Sequence, residues 1–192
     1  MRSAEFDREH VLRAAMNEFI AKGYNKTSMQ DLKRVTGLHP GSIYCAFENK
    51  RGLLLAALDH YAKTKADDFE QFFTNSDQIL NGFKAYLSDI INHTNCSKSN
   101  GCLLQNSLTE LEQHDDEIET IIYSMSGQWK QRIKSKLEQA KLNHEITPEA
   151  NCEFLSDYLM MGIYGLRSFS NTKPPQECLQ QLVDHLIYNL KI

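Results

Sequence analysis

Apolar residues recur every three to four positions along most of this 192-residue chain, a spacing that gathers them on one side of a helix. Between residues 7 and 22 the stripe is Val11, Leu12, Ala15, Met16, Phe19 and Ile20, with Asp7 placed to cap the start and Gly23 to end the run. Two short helices are expected at about 28–36 and 40–46. A longer one runs from about 50 into the low seventies and carries Leu53, Leu54, Leu55, Ala57, Leu58 and Tyr61 in its first half. Further helical patterns cover about 76–93, 101–112, 115–142, 148–170 and 175–191. The breaks between them, at Asn75-Ser76, 95–100, His114-Asp115, 143–148 and 171–175, are rich in residues that favour caps and turns. No stretch alternates apolar and polar residues for long enough to make a strand. The pattern predicts an all-α fold of about nine helices.

Composition adds that the chain can fill a core, since 41% of it is hydrophobic. No stretch approaches the roughly 18 apolar residues of a membrane span, and the first residues lack the apolar run of a secretory signal, so a cytoplasmic protein is expected. Five cysteines at irregular spacing (Cys45, Cys96, Cys102, Cys152, Cys178) argue for reduced thiols rather than a disulfide framework. Charge is uneven. Residues 1–66 hold 11 Lys+Arg against 7 Asp+Glu, and residues 67–192 hold 10 against 18, so a front end of +4 precedes a remainder of −8. That balance suits a chain whose front meets a polyanion.

The stretch 24–53 carries the chemistry. Thr27 and Ser28 offer an N-cap hydroxyl, and Gln30 or Asp31 can complete a capping box, with Met29, Leu32 and Val35 facing inward. Gly37 ends that helix in a tight turn. Pro40 fits the first turn of the next, where its missing N–H would have no partner anyway, and Ser42, Ile43, Tyr44 and Phe47 follow. Two short helices across a short turn containing Gly form a helix-turn-helix, whose second helix enters the major groove of DNA.

The same residues resemble the N-terminal domain of TetR-family regulators over roughly residues 8–55. Tyr44-Cys45-Ala46-Phe47, followed by Lys50, is similar to a branch whose recognition helix ends Tyr-Ala-Ala-Phe before the Lys that opens the fourth helix. The resemblance implies a three-helix DNA-binding domain over residues 1–50 and a helical bundle for ligand sensing and dimerisation over 51–192. It implies that Thr27, Ser42, Tyr44 and Lys50 contact the DNA backbone or bases, with Tyr44 and Lys50 as phosphate ligands; Ser28, His39, Pro40 and Gly41 are further candidates for the same DNA-binding site. A phenol, a lysine and a hydroxyl at a helix start are all phosphate donors. Pro40 and His39 depart from the basic residue and the Ser or Thr usual at those positions, while Gly41 allows close backbone approach.

The remainder must bury a core of its own, and its aromatic and aliphatic residues sit at helical spacings. By the family resemblance, Tyr86, Trp129, Tyr158 and Met161 are candidates to line a ligand cavity; each also fits a plain bundle interior. The last two helices, with small Gly162 and Gly165 and a stripe from Cys178 to Leu190, look like an association surface, although these stripes could instead pack only within the subunit. The family resemblance implies a four-helix homodimer interface, which would pair two recognition helices on a palindromic duplex operator. Gly101-Cys102-Leu103 recurs in the same branch, some members of which answer oxidants or electrophiles through cysteine. A thiol in the first turn of a helix is biased toward thiolate, and Cys96 could resolve it; Cys102 could equally be a small buried hydrophobe.

The expected protein is therefore a repressor released by a small-molecule inducer or by an oxidant or electrophile, with no cofactor and no membrane partner. A metal-responsive regulator using His93, Cys96 and Cys102 is an alternative, though their spacing matches no common zinc pattern. A helical dimer that binds no DNA is another. An enzyme is not expected: no Gly-rich phosphate loop and no His-Glu-x-x-His is present, and the seven histidines are scattered.

Overall fold

In a computed structural model, the described residues are 6–74, 76–93 and 116–191, and every regular element among them is a helix. We number these α1 (Arg8–Lys22), α2 (Met29–Thr36), α3 (Pro40–Phe47), α4 (Lys50–Thr74), α5 (Ile79–His93), α6 (Asp116–Leu142), α7 (Cys152–Ser170) and α8 (Gln176–Tyr188). The all-α expectation holds. The helix expected at 101–112 lies outside the described residues.

Local chemistry accounts for most of the ends. Asp7 caps α1, its carboxylate accepting the His10 N–H at 3.1 Å. Gly37 closes α2 in the left-handed conformation at φ +71°, where a Cβ would be strained. Asn151 caps α7 by accepting the Phe154 N–H, so this helix begins after Pro148 rather than at it. One end is capped from a distance. The Glu145 carboxylate accepts the Ile79 and Leu80 N–H groups at 2.9 Å each, which is why α5 starts at Ile79 and not at Ser76.

The chain divides into two compact units. The first takes residues up to Lys65 together with the described residues 116–123 of α6. Within it α1 packs on α2 and α2 on α3, and Leu12, Phe19, Leu32, Ile43, Phe47, Leu54 and Leu58 are buried. The second takes α4 from Ala66, α5, the rest of α6, α7 and α8. There α5 packs on α7 and α8, and a continuous apolar cluster runs from Phe69 through Leu87, Ile133, Leu159 and Val183 to Leu190. Glycine decides one contact here: a Cβ on Gly162 would fall 2.7 Å from the Leu186 side chain, so its smallness serves the packing of α7 on α8 within the subunit. No described helix is long and apolar enough to cross a membrane.

Candidate nucleic-acid interface

The first unit presents α3 on a scaffold tied together by short-range bonds. At the α1–α2 turn, Thr27 is buried and its hydroxyl donates to the Gly23 carbonyl at 2.7 Å. The N-cap is Ser28: its Oγ accepts the Asp31 N–H at 3.1 Å while its own N–H donates to Asp31 Oδ2 at 3.0 Å, a complete capping box. Asp31, rather than Gln30, is thus the reciprocal partner. The Ser28 hydroxyl proton also goes to Asp31 Oδ2, at 2.7 Å. The hydroxyl protons of Thr27 and Ser28, two of the four hydroxyl residues expected to face DNA, are thus committed within the fold.

Asp31 also joins a network between α1 and α2 that no short-range sequence pattern marks. Lys22 pairs with Asp31 and with Glu18, and Arg34 reaches the same two carboxylates at 3.3 and 3.0 Å. Lys22 first, then the two bonds from Ser28, hold the Asp31 carboxyl far below the usual carboxylate range. Asp31 in turn, followed by Glu18, pushes the Lys22 ammonium upward. The four residues clamp α2 to α1 while cancelling each other's charge, so the excess positive charge of residues 1–66 comes from other cations.

The helix α3 has two faces. Ile43 and Phe47 are buried, and Gly41, Tyr44 and Cys45 are exposed, with Tyr44 half open to solvent. His39 stands exposed at the N-cap without a side-chain bond, Pro40 occupies the first turn, and Ser42 is half-buried. Nothing lies within 4 Å of where a Gly41 Cβ would be, so the outer face is open at its first turn. The exit from α3 is tight. Glu48 sits at φ +66°, the Asn49 N–H donates to the Phe47 carbonyl at 2.7 Å, and Asn49 Oδ1 accepts the Gly52 N–H at 2.9 Å. A Cβ on Gly52 would lie 2.0 Å from the Phe47 carbonyl oxygen, so only glycine fits this junction. Lys50, which opens α4, holds its Nζ 4.2 Å above the ring of Tyr24, itself 5.8 Å from the ring of Phe19.

The candidates for sensing fall apart into three places. Tyr86 and Trp129 are drawn together around Phe69, whose ring they meet at 5.0 and 4.9 Å, in a set of edge-on contacts that includes Phe72 and Phe73. Tyr158 is half-buried and its hydroxyl accepts from Asn189 at 3.1 Å. Met161, expected beside them in a cavity wall, is instead 62% exposed on the outer face of α7. Helical geometry is the reason: Met161 follows the inward pair Leu159 and Met160, and Gly162 and Ile163 after it turn inward again. A polar hollow of about 340 Å³ in the second unit is lined by Glu70, Gln131, Arg132, Ser135, Lys136 and Gln139, none of them among the candidates. Cys96 and Cys102 lie outside the described residues. Among the described cysteines, Cys45 is exposed and Cys152 buried, burial pushing the Cys152 thiol upward and away from reactivity. No group of three or more potential metal ligands comes together among the described residues.

Met161 belongs to a surface rather than to a cavity. With Phe154 and Phe169 on α7 and Leu182 and Tyr188 on α8 it stands among the large apolar side chains open to solvent, and Gly165 is uncovered on the same helix. The region beside it carries charge pairs, Lys130 with Glu153 and Asp157 and Lys134 with Glu153, that join α6 to α7.

Comparison with known proteins agrees with this arrangement. Residues 11–57 match the model for bacterial regulatory proteins of the tetR family, and residues 78–186 match the tetracyclin repressor-like C-terminal domain. The chain is 29% identical over 179 residues to the HTH-type transcriptional repressor ComR of Escherichia coli, covering 92% of this chain and 85% of that one. It is 26% identical over 185 residues to the uncharacterized HTH-type transcriptional regulator YezE of Bacillus subtilis, covering 95% of each. Among solved structures, a cysteine-substituted form of the TetR-family regulator CifR in complex with a 26-base-pair operator duplex superposes with a TM-score of 0.80, at 22% identity, over 97% of this chain and 98% of that one.

Proposed function

This chain belongs to the TetR family of bacterial regulatory proteins, and on that premise we propose that it is a homodimeric repressor whose paired recognition helices grip a palindromic operator and let go on a chemical signal. It is a DNA-binding transcriptional regulator, and the named relatives are regulators rather than enzymes. The observation that carries the proposal is the two-faced α3: Ile43 and Phe47 anchor it, leaving Gly41, Tyr44 and Cys45 outward at the spacing of one helical face.

In this reading residues 1–50 do the gripping and 51–192 the sensing and pairing. Tyr44 and Lys50 bind phosphate, the latter from the first turn of α4, while His39, Pro40, Gly41 and Ser42 bring the start of α3 to the groove. Thr27 and Ser28 contribute chiefly by fixing the entry to α2, because their hydroxyl protons already have acceptors. The exposed apolar residues of α7 and α8 supply the dimer interface, which one short helix needs in order to read two half-sites roughly 34 Å or more apart. A signal received around Tyr86 and Trp129 reaches α3 through α4, whose residues serve both units. A differential affinity of only a few kcal/mol between two states suffices for release.

Selection of genomic fragments by the purified protein tests this directly. It should recover a palindrome, and Tyr44→Ala or Lys50→Ala should weaken binding with the dimer intact. Loss of the dimer in those variants, or no preference for any duplex at low salt, would refute the assignment. The thiol branch of the proposal rests on the sequence context of Cys102 and Cys96 alone. It predicts that a mild oxidant abolishes binding by the wild type and spares Cys102→Ser; equal sensitivity removes it.

A further inference from the structure

We propose that Arg8 is a second cationic phosphate ligand of the DNA-binding unit beside Lys50, seated on the ring of Phe47 as Lys50 is seated on the ring of Tyr24; this rests on the DNA-binding reading above. The Arg8 guanidinium carbon lies 4.8 Å from the centroid of Phe47, the last residue of α3, and Phe6 packs against the same ring at 6.3 Å. Arg8 therefore travels with the C-terminal end of the recognition helix, one turn beyond Tyr44 and three residues short of Lys50 in the chain order of that junction.

Three features separate Arg8 from the other cations of its helix. Arg13 is neutralised by Glu9 and Lys22 by Glu18 and Asp31, whereas Arg8 makes no ion pair among the described residues. The nearest acids along the chain within those residues are engaged elsewhere: Asp7 accepts the His10 N–H, and Glu9 holds Arg13. Arg8 also occupies the first position of α1, the positive end of the helix dipole, where a cation gains nothing from the helix.

The seat explains how an exposed arginine can be ready for a ligand. With its carbon 4.8 Å from the ring centroid, the guanidinium is held by a cation–π contact and not by an acid, so N–H donors remain for bidentate contact with a phosphate. Meanwhile the ring restricts the long side chain before DNA arrives, which lowers the ordering cost of binding. Phe47 is 5% exposed and fixed by the core, so the seat itself does not move. Arg8 lies outside residues 11–57, the span matched by the family model.

The test uses the full chain and two labelled duplexes, one of arbitrary sequence and one recovered by fragment selection, titrated between about 50 and about 200 mM salt. Arg8→Gln keeps the stem and a planar group for the ring while removing the charge, and Lys50→Gln is the control. For Arg8→Gln the slope of log affinity against log salt should fall by about 0.9 per protomer, hence about 1.8 per dimer, with the same fold-loss on both duplexes. Arg8→Lys should keep the slope and bind more weakly than wild type, since an ammonium cannot make the bidentate contact. An Arg8→Gln protein with wild-type slope and affinity, or one whose only change is a lower melting temperature, overturns the proposal while Lys50→Gln still reports on the DNA reading. A wild type that binds neither duplex overturns both.

Discussion

Replacing Gly52 by alanine should damage both folding and operator binding, although the change adds a single methyl group to an α-helix. In an unconstrained helix it would stabilise by about 1 kcal/mol. Here the new Cβ would lie 2.0 Å from the Phe47 carbonyl oxygen and 3.1 Å from its carbon, and both are backbone. Relief requires a displacement of about 1 Å, because ordinary contacts of this kind begin above about 3 Å. Phe47 cannot yield freely: its side chain is buried, and its carbonyl accepts the Asn49 N–H at 2.7 Å. Overpacking of this kind costs about 1–3 kcal/mol, and loss of the Asn49 bond adds about 1. Set against the propensity gain, the net destabilisation is about 1–3 kcal/mol. For a chain of this length that corresponds to a fall of about 2–12 °C in Tm.

The same shift separates Tyr44 on α3 from Lys50 on α4, so operator affinity should drop, by about tenfold for each 1.4 kcal/mol of contact energy lost. Thermal melting at fixed protomer concentration and fluorescence anisotropy on the selected operator measure the two effects. Gly127→Ala is the control, since nothing lies within 4 Å of its added Cβ, and it should be neutral or slightly stabilising. If Gly52→Ala melts and binds like Gly127→Ala, the tight α3–α4 junction is not what positions the recognition helix.

Other substitutions probe other levels. Glu145→Ala removes both acceptors at the start of α5 and should destabilise by about 1–2 kcal/mol in urea denaturation, with Glu145→Gln between it and wild type; no change in midpoint would show that the distal cap is dispensable. Glu153 is held at about 2, below its ordinary 4.5, by Lys130 first and Lys134 second. Because the folded value is depressed, its contribution is complete above about 4.5 and is lost as pH falls toward 2. Glu153→Gln should therefore flatten the acid limb of a stability profile between those values, and an unaltered limb would exclude the ion pairs as its source. Phe154→Glu together with Met161→Glu should convert a dimer into monomers by analytical ultracentrifugation and weaken operator binding without unfolding the subunit, whereas an unchanged dimer would place the interface elsewhere.

Much of this molecule is written in short-range pattern. The period of apolar residues specifies helices because it sets which side can be buried, and Asp7, Ser28 and Gly37 specify ends because caps act over three or four residues. The helix-turn-helix is legible for the same reason: its turn, its proline and its inward Ile43 and Phe47 all lie within one short stretch. Met161 marks the limit. A stripe of apolar residues says that a helix has a greasy side, not whether that side meets its own subunit or another surface, and only the packing of α5, α7 and α8 turned Met160 inward and Met161 out.

What the tertiary structure alone decided are the contacts between residues far apart in sequence or across a bend too tight to read. Glu145 caps a helix 65 residues before it, Glu18 serves Arg34 across two helices, and Phe47 gives Arg8 its seat. Gly52 looks like an ordinary helical glycine until the Phe47 carbonyl is placed beside it. Such pairings depend on how helices cross, which is settled by the shape of whole buried faces, and no local period encodes that shape.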